Sequence, residues 1–154
     1  MKKSKRIAGL IILGVTGCLV LFFLVRHLIT NQIASELPPM PESYGMTEAV
    51  RTQMNAATDK AKRNPSAENL GRLGMVYHSS ANYEQAAECY KLAISQEKSA
   101  WKWSYYLAYL NMEMGVSEGV IENFKRVVEL NPEVHHAWFY LGEEHQNLRQ
   151  NKDA

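Results

Sequence analysis

Residues a fixed interval apart, about 34 positions, keep matching in the second half of the chain, and this period narrows the choice of folds more than any other feature. Leu73, Leu107 and Leu141 fall in register, each followed by a small residue: Gly74, Ala108 and Gly142. Leu70, Ser104 and Trp138 stand three positions before those leucines, and Tyr77, Asn111 and His145 four positions after them. A second set follows, with Ala86 matching Val120, Tyr90 matching Phe124 and Ala93 matching Val127. Spacings of three and four mark one face of a helix, so each unit reads as two helices. The pattern predicts helices near 67–80, 84–97, 100–114, 118–130 and 134–149. Asn82-Tyr83 and Gly115-Val116-Ser117 supply the turns inside each pair, and Ser66 and Ser99 are placed to cap helix starts. Small residues at 74, 108 and 142 allow close approach of paired helices, with Ala86 expected opposite Gly74.

These positions resemble the signature of the tetratricopeptide repeat (TPR), in which a large residue, Leu-Gly, an aromatic, Ala, an aromatic, Ala and a late Pro recur at that same period. Leu73-Gly74-Met75-Val76-Tyr77, Ala86 with Tyr90, Asn131-Pro132, and Trp138 with Leu141-Gly142 match well. Ser104 in place of the large residue, Asn111 in place of the aromatic and Lys98 in place of the proline depart from it. The resemblance implies an all-α chain whose soluble part is a short solenoid of helical hairpins, in units 67–100, 101–134 and a partial 135–154. The last helix turns polar after Glu143. It reads either as a solvated end cap or as the point where a second helix would follow, since Asn151-Lys152-Asp153-Ala154 looks like the start of one.

Ahead of the repeats, Met1–Arg6 reads MKKSKR and the run from Ile7 to Val25 carries no charge. As a helix this run spans roughly 28 Å, close to the thickness of a bilayer's hydrocarbon core. Apolar residues continue past Cys18 through Leu19 to Val25, longer than the core of a cleaved signal peptide, so an uncleaved signal anchor, a transmembrane helix, is expected. Val15-Thr16-Gly17-Cys18 resembles the bacterial lipobox, which makes Cys18 the alternative, a lipidated residue; the apolar stretch after it breaks that pattern. Lys2, Lys3, Lys5 and Arg6 precede the span and Arg26 alone follows closely, with Glu36, Glu42 and Glu48 next. The positive-inside bias then puts the N-terminus in the cytoplasm and the repeats outside. In a bacterium that means a single-pass inner (cytoplasmic) membrane protein with a periplasmic array.

The chain thus divides into a signal anchor over 1–30, a linker over 31–46, a lead-in packing helix over 47–64 and the array from 67. Pro38, Pro39 and Pro41 stiffen the linker. Val50, Met54, Ala57 and Ala61 form the apolar stripe of the lead-in helix, which Asn64-Pro65 ends.

The resemblance implies a binding role on the concave face, which first helices line with residues off the packing stripe. The candidates are Met75 and His78, then Lys102, Tyr105, Tyr109 and Met112, then His136, Phe139 and Glu143. Trp101-Lys102-Trp103-Ser104-Tyr105-Tyr106 is dominated by aromatics, so some are expected at the surface. Chaperone-binding relatives clamp a carboxylate with Lys, Asn and Arg, a set that Gly71, Met75 and Tyr106 do not reproduce. His135, His136 and His145 lack the three- or four-residue spacing of helical metal ligands. With no haem motif, phosphate loop or nucleophile elbow, neither a cofactor nor an enzymatic activity is expected. A net charge of +1 gives no reason to propose nucleic acid. The reading is a membrane-anchored scaffold or adaptor for a protein partner; its alternative is an accessory subunit of a larger membrane complex, respiratory or cytochrome in type.

Overall fold

The computed structural model describes residues 2–41, 46–117 and 119–153, and among these every regular element is a helix. Seven helices follow one another: α1 (Lys2–Ser35), α2 (Glu48–Arg63), α3 (Ala67–Ser79), α4 (Tyr83–Gln96), α5 (Trp101–Glu113), α6 (Val120–Leu130) and α7 (His135–Asp153). Helices α3 to α6 begin and end within two residues of the ranges that the repeat period predicts. Glu42 and Ala154, and Glu118 at the expected start of α6, lie outside the described residues.

Helices α3 with α4 and α5 with α6 form antiparallel hairpins, and their facing stripes make the core. Leu70, Leu73 and Tyr77 of α3 and Ala86, Cys89, Tyr90 and Ala93 of α4 are all fully buried. Burial pushes the Cys89 thiol up to about 12, so it acts as a small apolar group. Gly74 packs closely, but its neighbour differs from the expected one: an added Cβ would lie 2.7 Å from the Tyr90 ring and 3.2 Å from Cys89 Cβ. The helices therefore close around Tyr90 rather than Ala86. The second core cluster joins Ala108, Phe124, Val127 and Ala137.

Two elements, α1 and α7, extend beyond their expected limits, α7 running on to Asp153. Helix α1 continues to Ser35 instead of giving way to linker at 31, because Ile33 is buried in the first core cluster with Met54 and Ala61. Leu37 packs on the same cluster and Pro38 is buried, which folds the linker back onto the array. Over Val15–Ser35, α1 is long and apolar enough to cross a membrane, with a mean hydropathy of 1.5.

The joints between hairpins are built alike. The residue after α4, Glu97, has φ −143° and ψ 94°, and the residue after α6, Asn131, has φ −148° and ψ 90°. Asn64, after α2, has φ −144° and ψ 87°, and all three N–H groups donate back into the preceding helix. Helix α2 thus meets α3 as the second helix of one unit meets the first helix of the next.

Helix starts are less uniform. Ser66 Oγ accepts from the Asn69 N–H and caps α3, as Thr47 caps α2. Ser99, expected to cap α5, does not: its hydroxyl bonds Glu97, and α5 begins one residue later behind Ala100 with no side-chain cap.

Candidate functional site

The aromatic run at the start of α5 divides between packing and surface: Trp103 is buried, whereas Trp101, Tyr105 and Tyr106 are partly exposed. Trp103 is 1% exposed and lies over Gly71, where an added Cβ would overlap the indole. This explains the buried Ser104 at the signature's large position: the bulk has moved one residue earlier and now fills the space between units. Tyr106 is half-buried, stacked on Tyr90 at 5.7 Å between ring centroids. Its counterpart one repeat later, Tyr140, stacks on Phe124 at 5.5 Å.

Four of the candidates, His78, Tyr105, Tyr109 and Phe139, come together on the face shared by the first helices. His78 of α3 lies 6.4 Å from Tyr109 of α5, and Tyr109 stacks on Tyr105 at 6.5 Å, one turn away. Tyr140 of α7 continues the strip, edge-on to Tyr109 at 5.9 Å, and Phe139 lies beside it at 5.6 Å. His78, Tyr105, Tyr109 and Tyr140 are each partly exposed, while Phe139 is 61% exposed. The strip is fixed from behind: His78 Nε2 lies 2.5 Å from Glu113 Oε2, and its Nδ1 is 3.4 Å from the Tyr90 hydroxyl. Burial, then the neighbouring Tyr140, Tyr109 and Tyr106, raise the Tyr105 phenol above its ordinary value and keep it neutral.

The remaining candidates sit around this strip. Lys102 is paired with Glu68 and lies 4.4 Å from the Trp103 ring centre, which leaves little of its charge for a ligand. Glu68 also accepts from Arg72, and the two hydrogen bonds hold its carboxyl below the usual range. Met112 packs on the second core cluster, facing Val116 and Glu144. Met75 is exposed in a separate groove between α2 and α3. His136 and Glu143 are exposed on α7. Sequence reasoning missed Tyr140, although Tyr106 and Tyr140 stand exactly one repeat apart and the period could have found both. No group of three or more potential ligands is close enough to hold a metal among the described residues.

Residues 67–99, spanning α3, α4 and the joint to α5, match the tetratricopeptide repeat family model. The chain carries a tetratricopeptide repeat. No curated protein matches it in sequence. Its fold is similar to the first TPR of Spaghetti (RPAP3) bound to the HSP90 peptide SRMEEVD, with a TM-score of 0.61 at 16% identity over 79% of this chain and 92% of that one. It is also similar to the crystal structure of MamA, with a TM-score of 0.52 at 16% identity over 82% of this chain and 74% of that one. At such identity the likeness establishes the TPR fold.

Proposed function

We propose that this protein is a membrane-tethered scaffold whose TPR array binds a segment of another protein along the strip from His78 to Phe139. The observation that carries the reading is the strip itself. Rings from three helices follow one another in tilted, stacked and edge-to-face contacts, partly open to solvent, with His78 held by Glu113 and Tyr90. Rigid aromatic side chains supply contact area at little entropic cost, which suits recognition. Apart from Glu113 at His78 the strip is built of tyrosine and phenylalanine rings, and Lys102, on the same helix as Tyr105, is already paired with Glu68, so an apolar extended or helical segment fits better than a negatively charged terminus. The neighbour's HSP90 peptide supports peptide capture by this fold.

Tethering rests on α1. Ten large apolar side chains from Val15 to Ile29 are 46–67% exposed, a surface that water disfavours and hydrocarbon accepts. The basic residues Lys2, Lys3, Lys5 and Arg6 ahead of its apolar run support an orientation with the array on the outer side of the membrane.

Replacing Tyr105 and Tyr109 together with Ala tests the binding face. Capture of a partner from detergent-solubilised native membranes should fall by about tenfold or more, as for loss of a central aromatic pair. The helical circular dichroism should be retained, since both side chains are partly exposed. Unchanged capture would remove the strip from the account.

A further inference from the structure

The described array opens and closes on half a hairpin. Helix α2 ends in the geometry of a second helix but has no first helix paired with it, since α1 runs instead past the joint at Asn64-Pro65-Ser66. Helix α7 is a first helix with no second one against it among the described residues. Both faces are exposed among the described residues. Trp138 is 51% exposed at the position where Leu70 is fully buried, and a Cβ added at Gly142 meets nothing, whereas Gly74 lies under Tyr90.

At the other end, α2 and α3 enclose a groove of about 470 Å³. Its α2 wall is Gln53, Ala56, Ala57 and Lys60, which precede Ala86, Cys89, Tyr90 and Ala93 by one position less than a full repeat. Those four are the side chains that bury α3 against α4. The α3 wall includes Asn69, Arg72, Met75 and Val76, each one repeat before an α5 residue that borders α3 or the aromatic strip. The groove is therefore the berth of a first helix, between α2 and α3, where none is present among the described residues.

We propose that α7 of a second copy of this chain fills the groove, so that α7 and α2 complete one hairpin in trans and the array continues head to tail. Extending the repeat register across the junction predicts the contacts. Tyr109–Tyr140, in contact within the chain, becomes Glu143 facing Arg72, a pair of opposite charges. Glu68–Lys102 becomes His136 facing Glu68. The bulk is exchanged as well: Trp103 over Gly71 becomes Asn69 beside Phe139. Tyr90 over Gly74 becomes Ala57 facing Gly142, and the space left by Ala56 and Ala57 admits Trp138. Such a contact joins two different surfaces, so it extends into chains or rings instead of stopping at a symmetric dimer.

Sedimentation velocity on the full chain in detergent tests this. The mean mass should rise with concentration. Ala56→Trp blocks the groove and Gly142→Arg blocks α7; each variant alone should be monomeric, with affinity reduced by about tenfold or more. Both positions are exposed, so the fold should survive, which circular dichroism checks. Mixed one to one, the two variants should form dimers and nothing larger, because each supplies the surface the other lacks. The double variant Arg72→Glu, Glu143→Arg should self-associate while each single reversal does not. A wild-type chain that stays monomeric, association unchanged by either block, or a mixture that stays monomeric each overturns the proposal. Association through α1 or through two α7 helices would produce one of those results.

Discussion

Three glycines on first helices have different neighbours, and substituting each reads out the packing directly. A Cβ at Gly71 would overlap the Trp103 indole, one at Gly74 would lie 2.7 Å from the Tyr90 ring, and one at Gly142 meets nothing. Gly71→Ala and Gly74→Ala should each cost about 1–3 kcal/mol, since a packed ring must move. Gly142→Ala should instead stabilise by up to about 1 kcal/mol, the helix propensity gained without a clash. Denaturant midpoints of the three variants check this, and a stabilising Gly71→Ala would contradict the Trp103 packing. The period pointed to Gly74 and Gly142 but not to Gly71. Its partner Trp103 is out of register with it and occupies a position where the signature has no large residue, so only the substitution of Ser104 for bulk hinted that mass had moved.

Helices were the most legible level. Spacings of three and four within each repeat place α3 to α6 closely, because each hairpin must bury one stripe per helix. Their ends depend on single hydrogen bonds, which composition does not determine. Ser66 and Ser99 precede similar helices, yet only Ser66 accepts from a helical N–H. Ser66→Ala should lower stability by about 1 kcal/mol, whereas Ser99→Ala should change it by less than about 0.5 kcal/mol. Equal losses in chemical denaturation would show that Ser99 caps α5 after all. Helix α2 read as a generic lead-in because Thr52 and Asp59, one repeat before Ala86 and Ala93, break the signature. Its identity as a second helix lies in the backbone at Asn64, in a joint one position shorter than the period.

For the molecule as a whole, the architecture follows from the period, and the proposed binding face does so only in part. His78, Tyr105 and Tyr109 were legible because register assigns them to one face. Tyr140 was overlooked: Tyr106 one repeat earlier pointed to it, but the first unit has Arg72 there. Of the two methionine candidates, Met112 packs on the second core cluster and Met75 stands exposed in the groove between α2 and α3. Docking of Ile33 into the core ties α1 to the array, so in the proposed tethered scaffold the strip should hold a fixed orientation to the bilayer.

The most direct measurement is photocrosslinking in intact native membranes, with a benzophenone side chain placed at Tyr109 on the strip or at Lys125, exposed on α6. The account predicts that the protein stays in the membrane fraction and that a discrete adduct forms from position 109 and not from 125. Adducts from 125 alone, equal adducts from both positions, or no adduct from 109 would contradict a partner bound along the aromatic strip.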